Sequence, residues 1–118
     1  MDTLFAEGHR LMVYPYSVRW HLVSPQQLPE GVRHQVLIAT SKKKFRHAVD
    51  RNRVKRLTRE CYRHAKPRLT AFLEDNDLAV VLALNYIHHE IFPFAVLTAK
   101  MERIVNTLLK ELQGHVEK

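Results

Sequence analysis

The chain has 118 residues, 46% hydrophobic and 26% charged, ordinary values for a folded protein with chain enough for one domain and one core. Its 19 Lys or Arg against 12 Asp or Glu give a net charge of +7. Cys61 is the lone cysteine, which excludes an internal disulfide and a zinc site built on paired cysteines. No apolar run reaches the ~18 residues of a membrane span and no secretory leader pattern opens the chain, so a cytoplasmic, non-membrane protein is expected.

In chain order, residues 2–8 (DTLFAEG) read as the last turns of a helix stopped by Gly8. Between Tyr14 and Val23 the pattern changes to period two. Tyr14, Tyr16, Val18, Trp20 and Leu22 point one way; Ser17, Arg19, His21 and Val23 point the other. Pro15 argues for an edge position or a strand start. Ser24–Gly31 is a polar turn, and Val32–Ser41 a second strand expected to pair with the first as an antiparallel hairpin.

The charge then becomes local. Twelve Lys or Arg lie between Lys42 and Arg68, with only Asp50 and Glu60 opposing them, whereas the rest of the chain is mildly acidic. Such a block is the footprint of a polyanion binder. Lys42–His47 is a basic connection leading to a helix predicted from about Ala48 to Lys66, stopped ahead of Pro67. On that helix Val54, Leu57, Cys61 and Ala65 form an apolar stripe. Arg51, Lys55, Arg59 and Arg63 follow one another at steps of four on the other side, flanked by Asn52, Arg56 and Lys66, with no salt-bridging partner expected on that face. An anionic partner is the simplest reason to tolerate the repulsion.

Leu69–Asp77 is expected to be a loop, Leu78–Leu84 a fully buried strand and Asn85–Pro93 a connection. A final amphipathic helix, about Phe94–Leu112, buries Leu97, Met101, Ile104, Val105, Leu108 and Leu112. The order helix, strand, strand, helix, strand, helix is that of an α+β fold: a small central sheet packed with helices.

Catalytic signatures are lacking. No glycine-rich phosphate loop, nucleophile elbow or suggestively spaced carboxylate pair is present. His47, His64, His88 and His89 have no matched ligand spacing, so no metal site is expected on them, and Cys61 reads as a small core hydrophobe. The aromatic face of Tyr14, Tyr16 and Trp20 admits two readings, core packing beneath a helix or a platform on which unpaired bases stack; Phe5 could join either.

At Ser41–Arg63 the string SKK…AV-RNRVKR-x-x-RE resembles the signature of the bacterial ribonuclease P protein family, with its RNR triplet at Arg51, Asn52 and Arg53. Ser41, Lys42, Lys43, Ala48, Val49, Lys55, Arg56, Arg59 and Glu60 also match. The resemblance implies a left-handed β–α–β crossover around the basic helix, an exception to the usual hand. It also implies that the protein does not itself cut RNA. A catalytic RNA subunit, working with Mg²⁺ that the RNA mainly binds, releases the 5′ leader of precursor tRNA, and no protein partner is implied. On that resemblance Lys42, Lys43, Arg46, Arg51, Asn52, Arg53, Lys55, Arg56, Arg59 and Arg63 would contact RNA, and Phe5, Tyr14, Tyr16 and Trp20 would line a leader cleft.

Three features depart from the family pattern. The segment before Gly8 is short, which predicts an abbreviated first helix and cleft. Ala83, Leu84 and Asn85 stand where an arginine is common, and Lys44, Phe45 and Arg46 replace a glycine-bearing turn. The alternative reading is a general RNA-binding or ribosome-associated protein using the same helix. A DNA-reading helix lacks the preceding short helix and turn, and an independent metal nuclease lacks converging ligands.

Overall fold

The computed structural model describes residues 9–40 and 43–116, with the side chains of 115 and 116 excepted. The expected helix over 2–8, with Phe5, and the cation Lys42 lie outside the described residues. The order is β1 (His9–Val13), β2 (Tyr16–Val23), a 3₁₀ turn at Pro25–Gln27, β3 (His34–Thr40), α1 (Ala48–Asp75), β4 (Ala79–Tyr86) and α2 (Phe94–Val116). The α+β architecture is as expected, with one strand, β1, that the sequence reading did not assign.

The four strands lie in the order β1-β2-β4-β3. β1 pairs antiparallel with β2, and β2 antiparallel with β4, while β3 runs parallel to β4. The expected hairpin between β2 and β3 is therefore wrong: β4 inserts between them. β4 is central, but it is not buried on both faces as its continuous apolar run predicts. Leu82 and Leu84 are 1% exposed, whereas Val81 and Ala83 on the other face are half-buried, because both helices pack on one side of the sheet. α1 makes the crossover that a parallel pair needs.

Register assigns the sheet's two faces. Trp20 lies opposite Leu82, and Leu82 opposite Val36; Tyr16, Tyr86 and Thr40 form a matching row. Tyr16, Val18 and Trp20 are each 0% exposed within the core shared with α1 and α2. Core packing is thus the correct reading for Tyr16 and Trp20, and neither offers a ring face to a base. Tyr14 does not share their position. It precedes β2 in the β1–β2 turn and is 49% exposed.

α1 extends well past its expected end at Lys66, because Pro67 sits inside the helix. A mid-helix proline costs ~3 kcal/mol. The extension buries Leu69 and Leu73 completely, and each such side chain contributes ~1.5–3 kcal/mol. Burial of the two leucines outweighs the break, and the stretch expected to be a loop becomes two further turns. Arg68, counted within the cationic block, is used structurally: its guanidinium reaches Glu102 and Asn106 of α2. The six predicted core positions of α2, from Leu97 to Leu112, are all 0–1% exposed. The helix continues through Gly114 to Val116 rather than ending at Leu112.

Candidate nucleic-acid interface

Val54, Thr58, Cys61, Tyr62 and Ala65 form the buried face of α1 toward the core, where the Cys61 thiol lies 3.6 Å from Thr98 Oγ1 of α2. Leu57, expected in that stripe, is only half-buried. Thr58 is the one buried polar residue among the described residues, and its hydroxyl is 2.7 Å from the Tyr16 hydroxyl of β2. Burial pushes the Tyr16 phenol far up, so it stays protonated and can donate to Thr58. Burial likewise raises the Cys61 thiol, which suits the inert core residue expected there.

Fixing that inner face dictates the outer one. Val49, Asn52, Arg53, Lys55, Arg56 and Arg59 line a shallow depression of about 460 Å³ on the solvent side of α1. Asn52, Arg53, Arg56, Arg59 and Arg63 are exposed, whereas Arg51 and Lys55 are half-buried at the flank. The predicted Arg51–Lys55–Arg59–Arg63 row is therefore not the centre of the outer face. Steps of four advance about 40° beyond a full turn, so such a row winds from the flank outward.

Arg63 and Arg51 have partners within the protein. Arg63 pairs with Glu60 through its Nη2 and, at 3.2 Å, through Nε. The face is thus not free of acids as expected, because residues three apart on a helix are neighbours. Arg63 holds the Glu60 carboxyl below its usual range. Arg51 turns back: its Nη1 donates to the carbonyls of Phe45 at 2.8 Å and Arg46 at 3.2 Å. These bonds fasten the loop before α1, where Phe45 is buried and Lys43, Lys44, Arg46 and His47 are exposed. Phe45 packs on Tyr86 with ring centroids 5.9 Å apart, so the cationic loop is anchored to the end of β4.

The sheet's second face is built from the alternate residues. Across the strands Arg10, Arg19, Ala83 and Leu37 form one row, and Met12, Ser17, Asn85 and Ala39 the next. Ser17, Arg19, Leu37, Ala39, Ala83 and Asn85 border a hollow of about 420 Å³. Leu37 is 45% and Met12 60% exposed. An apolar floor with a polar row and two arginines can take an extended polyanion, whereas the sequence points to the aromatic side of β2 for the cleft. The signal for the open face is the alternation itself, which sets Ser17 and Arg19 opposite Tyr16 and Trp20.

Among the described residues no three His, Cys, Asp or Glu side chains converge as a metal-binding group. Mg²⁺ is usually held by one or two carboxylates together with phosphates and water rather than by an all-protein cage, and Glu60, the acid beside the outer face of α1, is engaged by Arg63. No described helix is long and apolar enough to cross a membrane.

The chain is similar to known proteins in sequence and in fold. The family model for ribonuclease P matches residues 2–109. The ribonuclease P protein component of Porphyromonas gingivalis strain W83 is 34% identical over 116 residues, 98% of this chain and 80% of that protein. That of Chlorobium phaeobacteroides is 38% identical over 86 residues, 66% of this chain and 59% of that protein. The structure of the Staphylococcus aureus RNase P protein superposes with a TM-score of 0.68, covering 91% of this chain and 86% of that one at 18% identity. That last likeness is one of fold.

Proposed function

The chain belongs to the ribonuclease P protein family, and we propose that it serves as the protein component of that tRNA-processing endoribonuclease by holding RNA in two places. The outer face of α1, through Asn52, Arg53, Lys55, Arg56 and Arg59 with Lys43 and Arg46 of the preceding loop, binds the catalytic RNA subunit, and Lys42 is a further candidate from the sequence. The open sheet face, through Arg10, Arg19, Ser17 and Asn85, receives the single-stranded 5′ leader of precursor tRNA. In this reading Tyr14 borders the leader site, with Phe5 a further candidate from the sequence, whereas the buried Tyr16 and Trp20 only shape the sheet that carries it.

The observation that carries the proposal is the meeting of three arginines, a lysine and an asparagine around one depression of α1 with no acid among its lining residues. Backbone phosphates supply most of the affinity of such contacts, and their neutralisation makes binding steeply dependent on salt. Cleavage belongs to the RNA, and Mg²⁺ is carried mainly by RNA phosphates. The protein's residues bind and position.

Competition tests this reading. A precursor tRNA with its leader should displace labelled precursor from the protein–RNA complex better than mature tRNA does. Equal competition by both would remove the leader site and leave a general RNA-binding protein.

A further inference from the structure

At the end of the sheet where the β1–β2 turn meets the β4–α2 connection, four rings gather, and of these the sites above use only Tyr14. The Tyr14 hydroxyl is hydrogen-bonded to His88 Nδ1. His88 stacks on Phe92 with ring centroids 4.5 Å apart and 17° between planes, and tilts against His89 at 4.6 Å. Phe92 meets the edge of Tyr14 at 6.3 Å. The connection is tied down from beneath: the Tyr86 hydroxyl donates to the Glu90 carbonyl at 2.7 Å and accepts from the Phe92 amide at 3.1 Å. Ile87 N–H donates to the Pro15 carbonyl at 2.9 Å, joining the two segments. Tyr14 is therefore a half-exposed ring held in one orientation by a supported neighbour.

We propose that this cluster is a stacking site for one unpaired nucleobase of RNA, with Tyr14 as the exposed platform and His88 and Phe92 as its support. The inference rests on the RNA-binding reading and deepens it: Tyr14, placed above at the border of the leader site, gains a defined role with His88 and Phe92 as its support. Its position argues for RNA, because Tyr86 bridges the cluster to Phe45 and so to the loop bearing Lys43, Lys44 and Arg46. A strand whose phosphates follow that loop passes the cluster. The local charge argues for a base rather than a phosphate: the Glu90 carboxylate lies 3.4 Å from His89 Nε2, which opposes an anion there. Rings beside a cationic track are the arrangement that single-strand binders use, and a base stacked on an aromatic side chain accounts for roughly 5- to 150-fold in affinity.

The test uses the full chain with its catalytic RNA and two probes, precursor tRNA and the catalytic RNA alone. Tyr14→Leu removes the π face and keeps the bulk; Tyr14→Phe keeps the ring and loses only the bond to His88. Tyr14→Leu should weaken binding of one probe by roughly 5- to 150-fold with an unchanged salt slope, and Tyr14→Phe should stay near the unaltered protein. A loss confined to precursor tRNA assigns the base to the leader, where one abasic substitution should cost the unaltered protein affinity and cost Tyr14→Leu nothing. A loss with catalytic RNA alone assigns it there. If Tyr14→Leu binds both probes normally while Arg56→Ala weakens binding, the stacking site is wrong and the RNA-binding reading stands. If the unaltered protein binds neither probe, both fall.

Discussion

The Arg51 guanidinium, which opens the cationic triplet of α1, spends its Nη1 on the carbonyl of Phe45 at 2.8 Å. The triplet thereby divides its work. Arg51 braces the loop that precedes the helix, while Asn52 and Arg53 face outward.

That division predicts opposite phenotypes. Arg51→Ala should cost about 1–2 kcal/mol of stability in urea unfolding, because bonds to a charged donor are lost. Arg56→Ala should leave stability within about 0.5 kcal/mol and flatten the salt dependence of RNA binding by about 0.7–0.9 unit. Reversed phenotypes would show that the loop does not depend on Arg51.

The Tyr16–Thr58 bond at 2.7 Å joins β2 to the back of α1 inside the core. Thr58→Val should cost about 1–3 kcal/mol by stranding the Tyr16 hydroxyl, and Tyr16→Phe a similar amount. Together they should cost clearly less than the two added, since no polar group is then left unpaired. Strict additivity in a double-mutant cycle would count against the bond.

His34 accepts from the Tyr62 hydroxyl at Nδ1, 3.2 Å away, and its Nε2 lies 3.1 Å from Thr70 Oγ1. The neutral imidazole protonated at Nε2 satisfies both. Burial, then the nearby charge of Lys66, hold its pKa below the usual value. With the folded pKa below the unfolded ~6.5, the unfolded chain takes up the proton first. The stability His34 supplies is whole above pH ~6.5, falls as pH drops through the folded pKa, and then levels off. His34→Gln should therefore show a shallower loss of stability between pH 7 and 5 than the unaltered protein, and equal slopes would remove His34 from the account.

Pro67 is exposed and interrupts α1, whose continuation is secured by Leu69 and Leu73. Pro67→Ala restores an amide facing the Arg63 carbonyl and should raise stability by about 1–3 kcal/mol in thermal unfolding, after the small entropic loss of removing a proline. Leu73→Ala should lower it by about 2–5 kcal/mol. A destabilising Pro67→Ala would mean that the proline shapes the helix rather than breaking it.

These residues also show what was readable in the chain. The buried stripe of α2 was visible because its 3.6-residue period is local and uninterrupted. The start of α1 and its cationic character were legible for the same reason. Its end was not: Pro67 is a local stop signal, and only the tertiary burial of Leu69 and Leu73 overrides it. Insertion of β4 between β2 and β3 is a long-range pairing that no short window contains. The alternation of β2 marks two faces, but which one lies under helices depends on α1 and α2, so the sequence points to the aromatic side for a cleft, whereas Ser17 and Arg19 face the open side. β1 is too short and mixed (HRLMV) to announce itself without its partner β2.

The most direct test of the central claim is reconstitution with the cognate catalytic RNA at limiting Mg²⁺, following release of the 5′ leader from precursor tRNA. Adding the protein should speed cleavage and lower the Mg²⁺ requirement, and Arg53→Ala/Arg56→Ala should erase much of that gain while remaining folded. Cleavage with unchanged rate and unchanged Mg²⁺ dependence would contradict the account.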